Sequence, residues 1–377
     1  MSQFAVRVTT IDSVEPHPDA DAIEIAMLGG YRSIVRKVDG LSGGTPVVYI
    51  PQVSVLPEYL LRHLGLWNDE LGQGKLGGPG YDRVSPMRLR GVFSQGICMK
   101  VADAGNSKVV VTGPEGDFTA EIGEDVAERL GIVKWIPIVP PELEGDVFAV
   151  GQPLTVNFDV EDIKAHPHVI PLGEEVEFRE KLHGVFTGVT VVPVEEALPE
   201  AFGSERNIVV YSKGLGAQGL AFADTEDNSR LPHVRSTIGL RARLEEIAMR
   251  VDAPLSILGE TVGPGVQDLH YGERIQFRLF GACKGFRGEQ KFLDADELRE
   301  LAELLGIEMV PVLYRGPFSW EKLAEHTSGQ TMMGAKNIRE GVVVTPVIER
   351  EDMRLGRVAL KSVSEKYLLR KGGTEYS

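Results

Sequence analysis

Lys181-Leu182-His183-Gly184 is the stretch of the sequence whose residue types and spacing most clearly suggest chemistry. It follows an acidic and apolar lead-in, 174–180, and runs directly into a segment of β-type residues, 185–192. A lysine in that position can act as a nucleophile. The spacing alone is not specific, because Lys-x-x-Gly recurs in three other places. Those places begin at Lys37, Lys75 and Lys213.

Further chemically useful groups follow Lys181, and each stands at or near one end of a strand candidate. In order they are Lys213, Glu260, Phe277 with Phe280, Glu340 and Lys361. An amine attacks phosphorus only when it is neutral, so a lysine of pKa ~10.4 must be shifted down by nearby positive charge. Lys213, Lys361 and a divalent metal held by the two glutamates would supply that charge. No such series follows Lys37 within its domain, and Lys37 is therefore rejected.

This ordered series resembles the motifs of the covalent nucleotidyltransferases, the superfamily of DNA ligases, RNA ligases and mRNA capping enzymes. The tetrad has His183 in its third position and in this resembles RNA ligases, whereas DNA ligases and capping enzymes usually carry aspartate there. The resemblance implies that ATP adenylates Lys181 and that His183 orients or contacts the phosphoryl group in later steps.

The same resemblance implies roles for the downstream residues. Lys213 would lie near the ribose or a substrate phosphate, and Phe277 would stack on the adenine while Phe280 belongs to the core. Glu260 and Glu340 would hold the ribose or a catalytic Mg²⁺ or Mn²⁺ ion. Lys361 would contact the α-phosphate.

The last motif departs from the pattern of the family. Relatives often have a second lysine two positions before the one matched by Lys361, and this chain has Ala359 there. Arg357 or Lys366 is a candidate to compensate for the missing charge.

The elements that must position these residues fall into two halves. Before residue 135, short apolar runs separated by glycine and proline predict a small β-barrel. Pro137, Pro140 and Pro141 interrupt helix and sheet alike and predict a linker. Beyond it, strand and helix candidates predict an α+β domain with an antiparallel core. The predicted helices cover 57–64, 124–130, 236–251, 295–306 and 320–327.

Two signatures in the first half resemble OB-fold domains that bind tRNA in synthetase-associated proteins. They are 17–21, which reads His-Pro-Asp-Ala-Asp, and 88–96, which contains Arg-Leu-Arg-Gly. Such barrels bind nucleic acid with basic and aromatic groups, and Arg83, Arg88 and Arg90 would form the positive cluster. We therefore predict an OB-like domain at 1–135, a linker at 136–160 and an adenylyltransferase domain at 161–377.

Composition excludes several classes of protein. The 377 residues are 42% hydrophobic and 25% charged, as in a globular protein, and no apolar run approaches the ~18 residues of a membrane span. No signal peptide is evident, so we expect a cytoplasmic protein with no membrane association and no evident protein partner. Cys98 and Cys283 are too few and too far apart for a disulfide framework or zinc site. The net charge of −15 limits nucleic-acid attraction to a local basic patch.

The sequence thus predicts an RNA ligase of the branch with an N-terminal OB-fold domain. It would use ATP and join 3′-hydroxyl and 5′-phosphate ends, and the branch resemblance points to nicked duplexes with an RNA 3′-hydroxyl strand. One alternative is a non-catalytic or adenylation-only nucleic-acid-binding protein, favoured by Ala359. Another is a GTP-dependent capping-type enzyme, disfavoured by His183 and by the 16 residues left after Lys361, too few for a trailing OB domain.

Overall fold

The structure is a computed structural model that describes residues 4–78, 80–135, 147–150, 154–156, 158–193, 207–213, 220–222, 227–285 and 289–370. The chain divides into two compact units. The first comprises Gln3–Trp135 and Ile163–Pro167, and the second comprises Met1–Ser2, Ile136–Asp162 and His168–Ser377. Most of the predicted linker, 136–160, lies outside the described residues.

The first unit is built almost entirely of short strands. They are β1 (Arg7–Thr10), β2 (Ser13–Pro16), β3 (Ile23–Leu28), β4 (Tyr31–Arg36), β5 (Pro46–Ile50), β6 (Ser54–Val55), β7 (Trp67–Asn68), β8 (Gln73–Gly74), β9 (Met87–Leu89), β10 (Val92–Ser94), β11 (Ile97–Lys100), β12 (Ala102–Gly105), β13 (Lys108–Gly113), β14 (Gly116–Glu121) and β15 (Val133–Lys134). One α-helix, α1 (Glu58–His63), lies within the predicted 57–64.

Three three-stranded sheets, ordered β1-β5-β11, β2-β3-β4 and β12-β13-β14, enclose the core of this unit. Strand alternation directs one face of each sheet inward, as with the fully buried Val109 and Val111 of β13. The helix predicted over 124–130 is wrong, because this segment forms turns. The Asp125 carboxylate accepts the backbone N–H of Val6 at 2.9 Å, and Val126 N–H donates to the Val6 carbonyl. These bonds hold the segment against the barrel instead of in a helix.

The second unit contains the remaining strands and helices. The strands are β16 (Val147–Val150), β17 (Glu161–Asp162), β18 (Glu175–Lys181), β19 (Val185–Val191), β20 (Ile208–Ser212), β21 (Leu220–Phe222), β22 (Leu255–Val262), β23 (Gln276–Lys284), β24 (Lys291–Phe292), β25 (Val312–Pro317), β26 (Gly341–Pro346), β27 (Glu351–Asp352), β28 (Gly356–Arg357) and β29 (Leu360–Val363). The helices are α2 (Pro232–Thr237), α3 (Arg241–Ala248), α4 (Ala295–Leu305), α5 (Trp320–Thr327) and α6 (Glu365–Leu368).

Two sheets dominate this unit. The larger has the order β16-β21-β20-β19-β22-β23-β24 and is antiparallel throughout. The other has the order β17-β29-β26-β18-β25 and is antiparallel except for the parallel pair β17 and β29. The predicted antiparallel α+β core is therefore present.

Helices cover one face of the larger sheet, where Leu244 of α3 and Leu298 of α4 join its apolar side chains in one cluster. The predicted helices 295–306 and 320–327 are confirmed, and Asp294 and Ser319 cap them as expected of short polar side chains. The helix predicted over 236–251 instead begins at Pro232 and is interrupted by a 3₁₀ turn, Ile238–Leu240. Among the described residues, no helix is both long and apolar enough to cross a bilayer.

Candidate functional site

Lys181 and Glu340 meet because their strands are antiparallel neighbours. Lys181 ends β18 opposite Gly341, the first residue of β26, so Glu340 lies just before that strand. The Lys181 Nζ lies 2.6 Å from Glu340 Oε1, with the two side chains 28% and 9% exposed. Glu340 Oε2 is buried and has no hydrogen-bond partner among the described residues. The pair therefore combines a partly accessible amine with one unsatisfied carboxylate oxygen.

Glu260, near the end of β22, is the second carboxylate of the site. The Gly184 N–H donates a hydrogen bond to its Oε1 at 3.0 Å. Burial raises the pKa of Glu260 to about 7; the charges of Lys181 and Lys213 oppose this rise, while that of Glu340 adds to it. Glu260 thus lies within electrostatic reach of three other predicted site residues.

Two further lysines complete the basic side of the site. Burial lowers the pKa of Lys361, and the nearby positive charges of Lys181 and Lys213 lower it further. Lys213 Nζ lies 2.9 Å from Asp159 Oδ1, and Asp162 is the parallel-strand partner of Lys361. Neither aspartate was among the residues predicted from the sequence, because Asp159 lies in the predicted linker and Asp162 lies just beyond it.

His183 is buried, with hydrogen bonds at both ring nitrogens. Nε2 lies 2.6 Å from Asp268 Oδ1, and Nδ1 lies 2.7 Å from the Tyr367 hydroxyl. The His183 backbone N–H donates to the Tyr271 hydroxyl, and Nδ1 is 3.9 Å from Glu340 Oε2. Burial lowers the pKa of His183, although the Glu340 carboxylate opposes that shift. The ring is thus fixed beside the Lys181 and Glu340 pair.

Phe277 does not lie on the same face of the sheet as the charged site. Glu260 and Arg278 are cross-strand partners and share one face, so the adjacent Phe277 points to the other. There it is 7% exposed and packs in the cluster beneath the helices. Phe186, opposite Glu260, and Phe280 are half-buried neighbours with ring centroids 6.0 Å apart. Phe277, predicted to stack on the adenine, thus packs in the core, whereas Phe280, predicted to be a core residue, is half-buried beside Phe186.

The two candidates to replace the charge missing at Ala359, Arg357 and Lys366, have different surroundings. Arg357 is 7% exposed, pairs with Glu349, and lies over the rings of Phe158 and Phe292 at 4.7 Å and 4.1 Å. Lys366 is exposed on α6. Lys213 and Lys181, in contrast, both act electrostatically on Lys361.

A divalent cation fits the donors of this site. Glu340 offers a buried oxygen that has no hydrogen-bond partner among the described residues, and its charge acts on the Glu260 carboxylate. No cluster of three potential metal-binding side chains exists among the described residues. A cation here would complete its coordination with water and phosphate oxygens, as Mg²⁺ usually does.

In the first unit, Arg88 and Arg90 lie on an exposed hairpin formed by β9 and β10. Its turn residues Arg90 and Gly91 both have positive φ, 45° and 86°, which the glycine accommodates without strain. Buried His17 braces the hairpin, since its Nε2 lies 3.1 Å from the Leu89 carbonyl while Nδ1 accepts the Asp19 N–H. The two predicted sequence signatures are therefore in contact.

Arg83 has different surroundings from the other two arginines. Its guanidinium lies over the Trp135 ring at 4.2 Å, and its backbone N–H donates to the Gly77 carbonyl. The structure thus places Arg88 and Arg90 together but gives Arg83 a packing role against Trp135.

Comparison with known protein families gives two matches along the chain. A model of the RNA ligase family matches residues 174–363, and a model of an OB-fold domain matches residues 5–101. A search of curated proteins found no significant sequence match.

The structure is also similar to solved structures of Naegleria gruberi RNA ligase. Those compared are one with PPi, a lysine-to-alanine variant with ATP and Mn, and a lysine-to-methionine variant with AMP and Mn. Their TM-scores are 0.71, 0.71 and 0.72. Each match has 21% sequence identity and covers 97% of this chain and 98% of the Naegleria chain. This likeness confirms the predicted fold class, an OB-fold domain followed by a ligase-type domain with antiparallel sheets.

Proposed function

Because this chain belongs to the RNA ligase family, we propose that it joins 3′-hydroxyl and 5′-phosphate ends of RNA through adenylation of Lys181 by ATP. The solved relatives with ATP or AMP and Mn favour ATP as the nucleotide and a divalent metal as the cofactor. The observation that carries the proposal is the pairing of Lys181 with Glu340, beside Glu260, Lys213 and Lys361.

In the first step, the Lys181 amine attacks the α-phosphorus of ATP. A nitrogen–phosphorus bond forms, the bond to the bridging oxygen breaks, pyrophosphate leaves and the amine loses a proton. Lys213 and Lys361 disfavour a charged amine and stabilise the negative phosphoryl oxygens of the transition state.

In the second step, a 5′-phosphate oxygen attacks the same phosphorus and the bond to Lys181 breaks, which gives an adenylated RNA end. In the third, the 3′-hydroxyl loses its proton as its oxygen attacks the 5′-phosphorus, the bond from that phosphorus to the AMP oxygen breaks, the phosphodiester forms and AMP leaves. Lys361 is proposed to hold the AMP phosphate throughout, because it reaches the same region as Lys181.

Glu340 and Glu260 are proposed to hold the divalent metal. When bound, the metal neutralises charge on the phosphate oxygens. Glu340 would have to exchange its contact with the Lys181 ammonium for the metal, and the released amine could then lose its proton.

For the adenine, we propose a platform of Phe186 and Phe280 instead of Phe277. The two half-buried rings adjoin one another, and Phe186 lies opposite Glu260. Aromatic faces stack on bases of any type, so this platform contributes affinity more than specificity.

The first unit is proposed to contact RNA through Arg88 and Arg90, and the substrate is proposed to be a nicked duplex whose 3′-hydroxyl strand ends in RNA. Exposed arginines on a braced hairpin are suited to phosphate binding. The domain limits 1–135, 136–160 and 161–377 and a cytoplasmic location remain predictions from the sequence.

A sealing assay tests this function. Purified protein is incubated with Mg²⁺ or Mn²⁺, ATP or GTP, and a nicked duplex whose 3′-hydroxyl strand ends in either RNA or DNA. We expect joining with ATP and an RNA 3′ end. Joining with GTP alone would identify a capping-type nucleotide preference, and binding without joining under every condition would identify a non-catalytic binding protein; either result overturns the proposal.

A further inference from the structure

Residues 364–370, a short segment just after Lys361, lie against His183. The segment contains α6, and Tyr367 within it is 3% exposed. The Tyr367 hydroxyl lies 2.7 Å from His183 Nδ1, and the two rings pack edge to face with centroids 5.3 Å apart. Of the residues in this segment, only Lys366 was assigned a candidate role from the sequence motifs.

The hydrogen bonds around His183 fix its tautomer. Asp268 Oδ1, a carboxylate oxygen 2.6 Å from Nε2, can only accept, so Nε2 carries the proton. Nδ1 of the neutral ring is then an acceptor, and the Tyr367 hydroxyl donates to it. Burial lowers the pKa of His183, which is consistent with a neutral ring. Both ring nitrogens are engaged in a single orientation.

Arg370 holds the other side of this arrangement. Its guanidinium donates to both Asp268 oxygens, at 3.1 Å and 3.2 Å, and lies over the Tyr367 ring at 3.7 Å. Arg370 therefore orients Asp268, which accepts the His183 Nε2–H. It also packs over Tyr367, which donates to His183 Nδ1. Its own distance of 3.3 Å to Nε2 is a neighbour contact, because both nitrogens carry protons.

We propose that Tyr367 and Arg370 are positioning residues of the ligation reaction, which hold His183 in one ring orientation beside Glu340. This proposal rests on the proposed function. Neither residue needs to touch the nucleotide, because both act through His183. Their loss should therefore change the rate of the steps that depend on His183 and leave the KM for ATP unchanged.

The test compares Tyr367→Phe with the control Tyr314→Phe. The control removes a hydroxyl group of the same unit that donates a hydrogen bond to the Pro317 carbonyl. Lysyl-AMP formation and sealing of pre-adenylated RNA are measured separately, also in His183→Ala and in the His183→Ala, Tyr367→Phe double variant. We expect Tyr367→Phe to slow the steps that His183→Ala slows, by about threefold to tenfold, as for one hydrogen bond. The double variant should be no slower than His183→Ala alone.

Equal rates for Tyr367→Phe and Tyr314→Phe, or losses that multiply in the double variant, would overturn the proposal. If Tyr367→Phe does not fold, Arg370→Lys replaces it, because lysine keeps the charge but not the two-pronged contact to Asp268. The same slowing is expected, and wild-type rates would count against the proposal.

A spectroscopic arm separates this proposal from the proposed function. In histidine-labelled protein, long-range ¹H–¹⁵N spectra should show His183 protonated at Nε2, with an Nδ1 signal that moves in Tyr367→Phe and not in Tyr314→Phe. An unmoved signal contradicts the positioning contact whatever the activity. Absence of lysyl-AMP in the wild type, with the signal moved as expected, contradicts the ligase function instead.

Discussion

The amine of Lys181 is bound, 2.6 Å away, by Glu340, the carboxylate proposed to hold the metal. The antiparallel register of β18 and β26 places the two residues together at one end of their strands. The ammonium form of Lys181 is stabilised by this pair, and that form cannot attack phosphorus. The metal binding proposed for Glu340 would therefore be coupled to release of a reactive amine.

Glu340→Gln should lose this coupling. The amide keeps the size of the side chain but is a poor metal ligand, so we expect adenylation to fall by at least about tenfold and to need more Mn²⁺ for half-maximal rate. Titration of Mn²⁺ in the labelling assay measures both effects. Glu325→Gln, which alters an exposed pair with Lys322, is the matched control. An unchanged Mn²⁺ requirement in Glu340→Gln would show that the carboxylate holds no metal.

Gly184→Ala should damage the site by close contact. A Cβ on Gly184 would lie 2.2 Å from the Thr261 carbonyl oxygen and 2.9 Å from the Glu260 side chain. We expect a loss of roughly 1–3 kcal/mol in the free energy of unfolding together with reduced adenylation. Gly239→Ala, whose Cβ would meet nothing within 4 Å, should leave both unchanged. Denaturant unfolding and labelling of the two variants measure the difference, and equal behaviour would contradict the geometry.

His233 should make stability depend on pH. It is 6% exposed, its Nδ1 lies 2.8 Å from the Thr187 hydroxyl, and burial lowers its pKa to about 4. The unfolded chain binds this proton at higher pH than the folded chain, so stability is present above pH ~6.5 and is lost as pH falls towards 4. The loss is on the order of 3 kcal/mol.

Unfolding of His233→Asn between pH 7 and pH 4 checks this prediction. The asparagine can replace the Nδ1 contact without titrating, so its stability should fall less steeply with decreasing pH than that of the wild type. His63→Asn, at an exposed position, should keep the wild-type slope. Parallel curves for His233→Asn and wild type would mean that His233 carries no such proton linkage.

Arg88→Ala combined with Arg90→Ala should weaken RNA binding without preventing lysyl-AMP formation. Each lost phosphate contact should reduce the slope of log K against log salt by about 0.7–0.9. RNA affinity measured across a salt series gives both quantities, with Lys108→Ala, at the exposed first residue of β13, as control. Wild-type affinity and slope in the double variant would exclude the hairpin as an RNA contact.

The central residues of the site, although not their contacts, were predicted from their places at strand ends and from the resemblance to the ligase motifs. Lys181, Glu260 and Glu340 each stand at or beside the end of a strongly apolar strand, and the antiparallel sheets bring those ends together. The two capped helices could also be predicted, because the N-cap residues Asp294 and Ser319 mark where each helix begins. Local signals of this kind are carried by neighbours in sequence.

The face of the sheet on which Phe277 lies could not be predicted from such local signals. Alternation predicts that Phe277 and its neighbour Arg278 point to opposite faces, but it does not say which face the lysine shares. The cross-strand pairing of Glu260 with Arg278 places Arg278, and not Phe277, on the face that carries the charged site. Asp159 and Tyr367 were missed for a related reason, because their contacts with Lys213 and His183 join segments far apart in the chain.

The most direct test of the account is the covalent adduct itself. Protein incubated with ATP labelled at the α-phosphate and with Mg²⁺ or Mn²⁺ is digested, and the labelled peptide is identified by mass spectrometry. We expect AMP on Lys181, no adduct in Lys181→Ala, and an unchanged adduct in Lys37→Ala, since Lys37 lies in an exposed turn. An adduct that persists in Lys181→Ala, or a wild-type protein that forms none, would contradict the account.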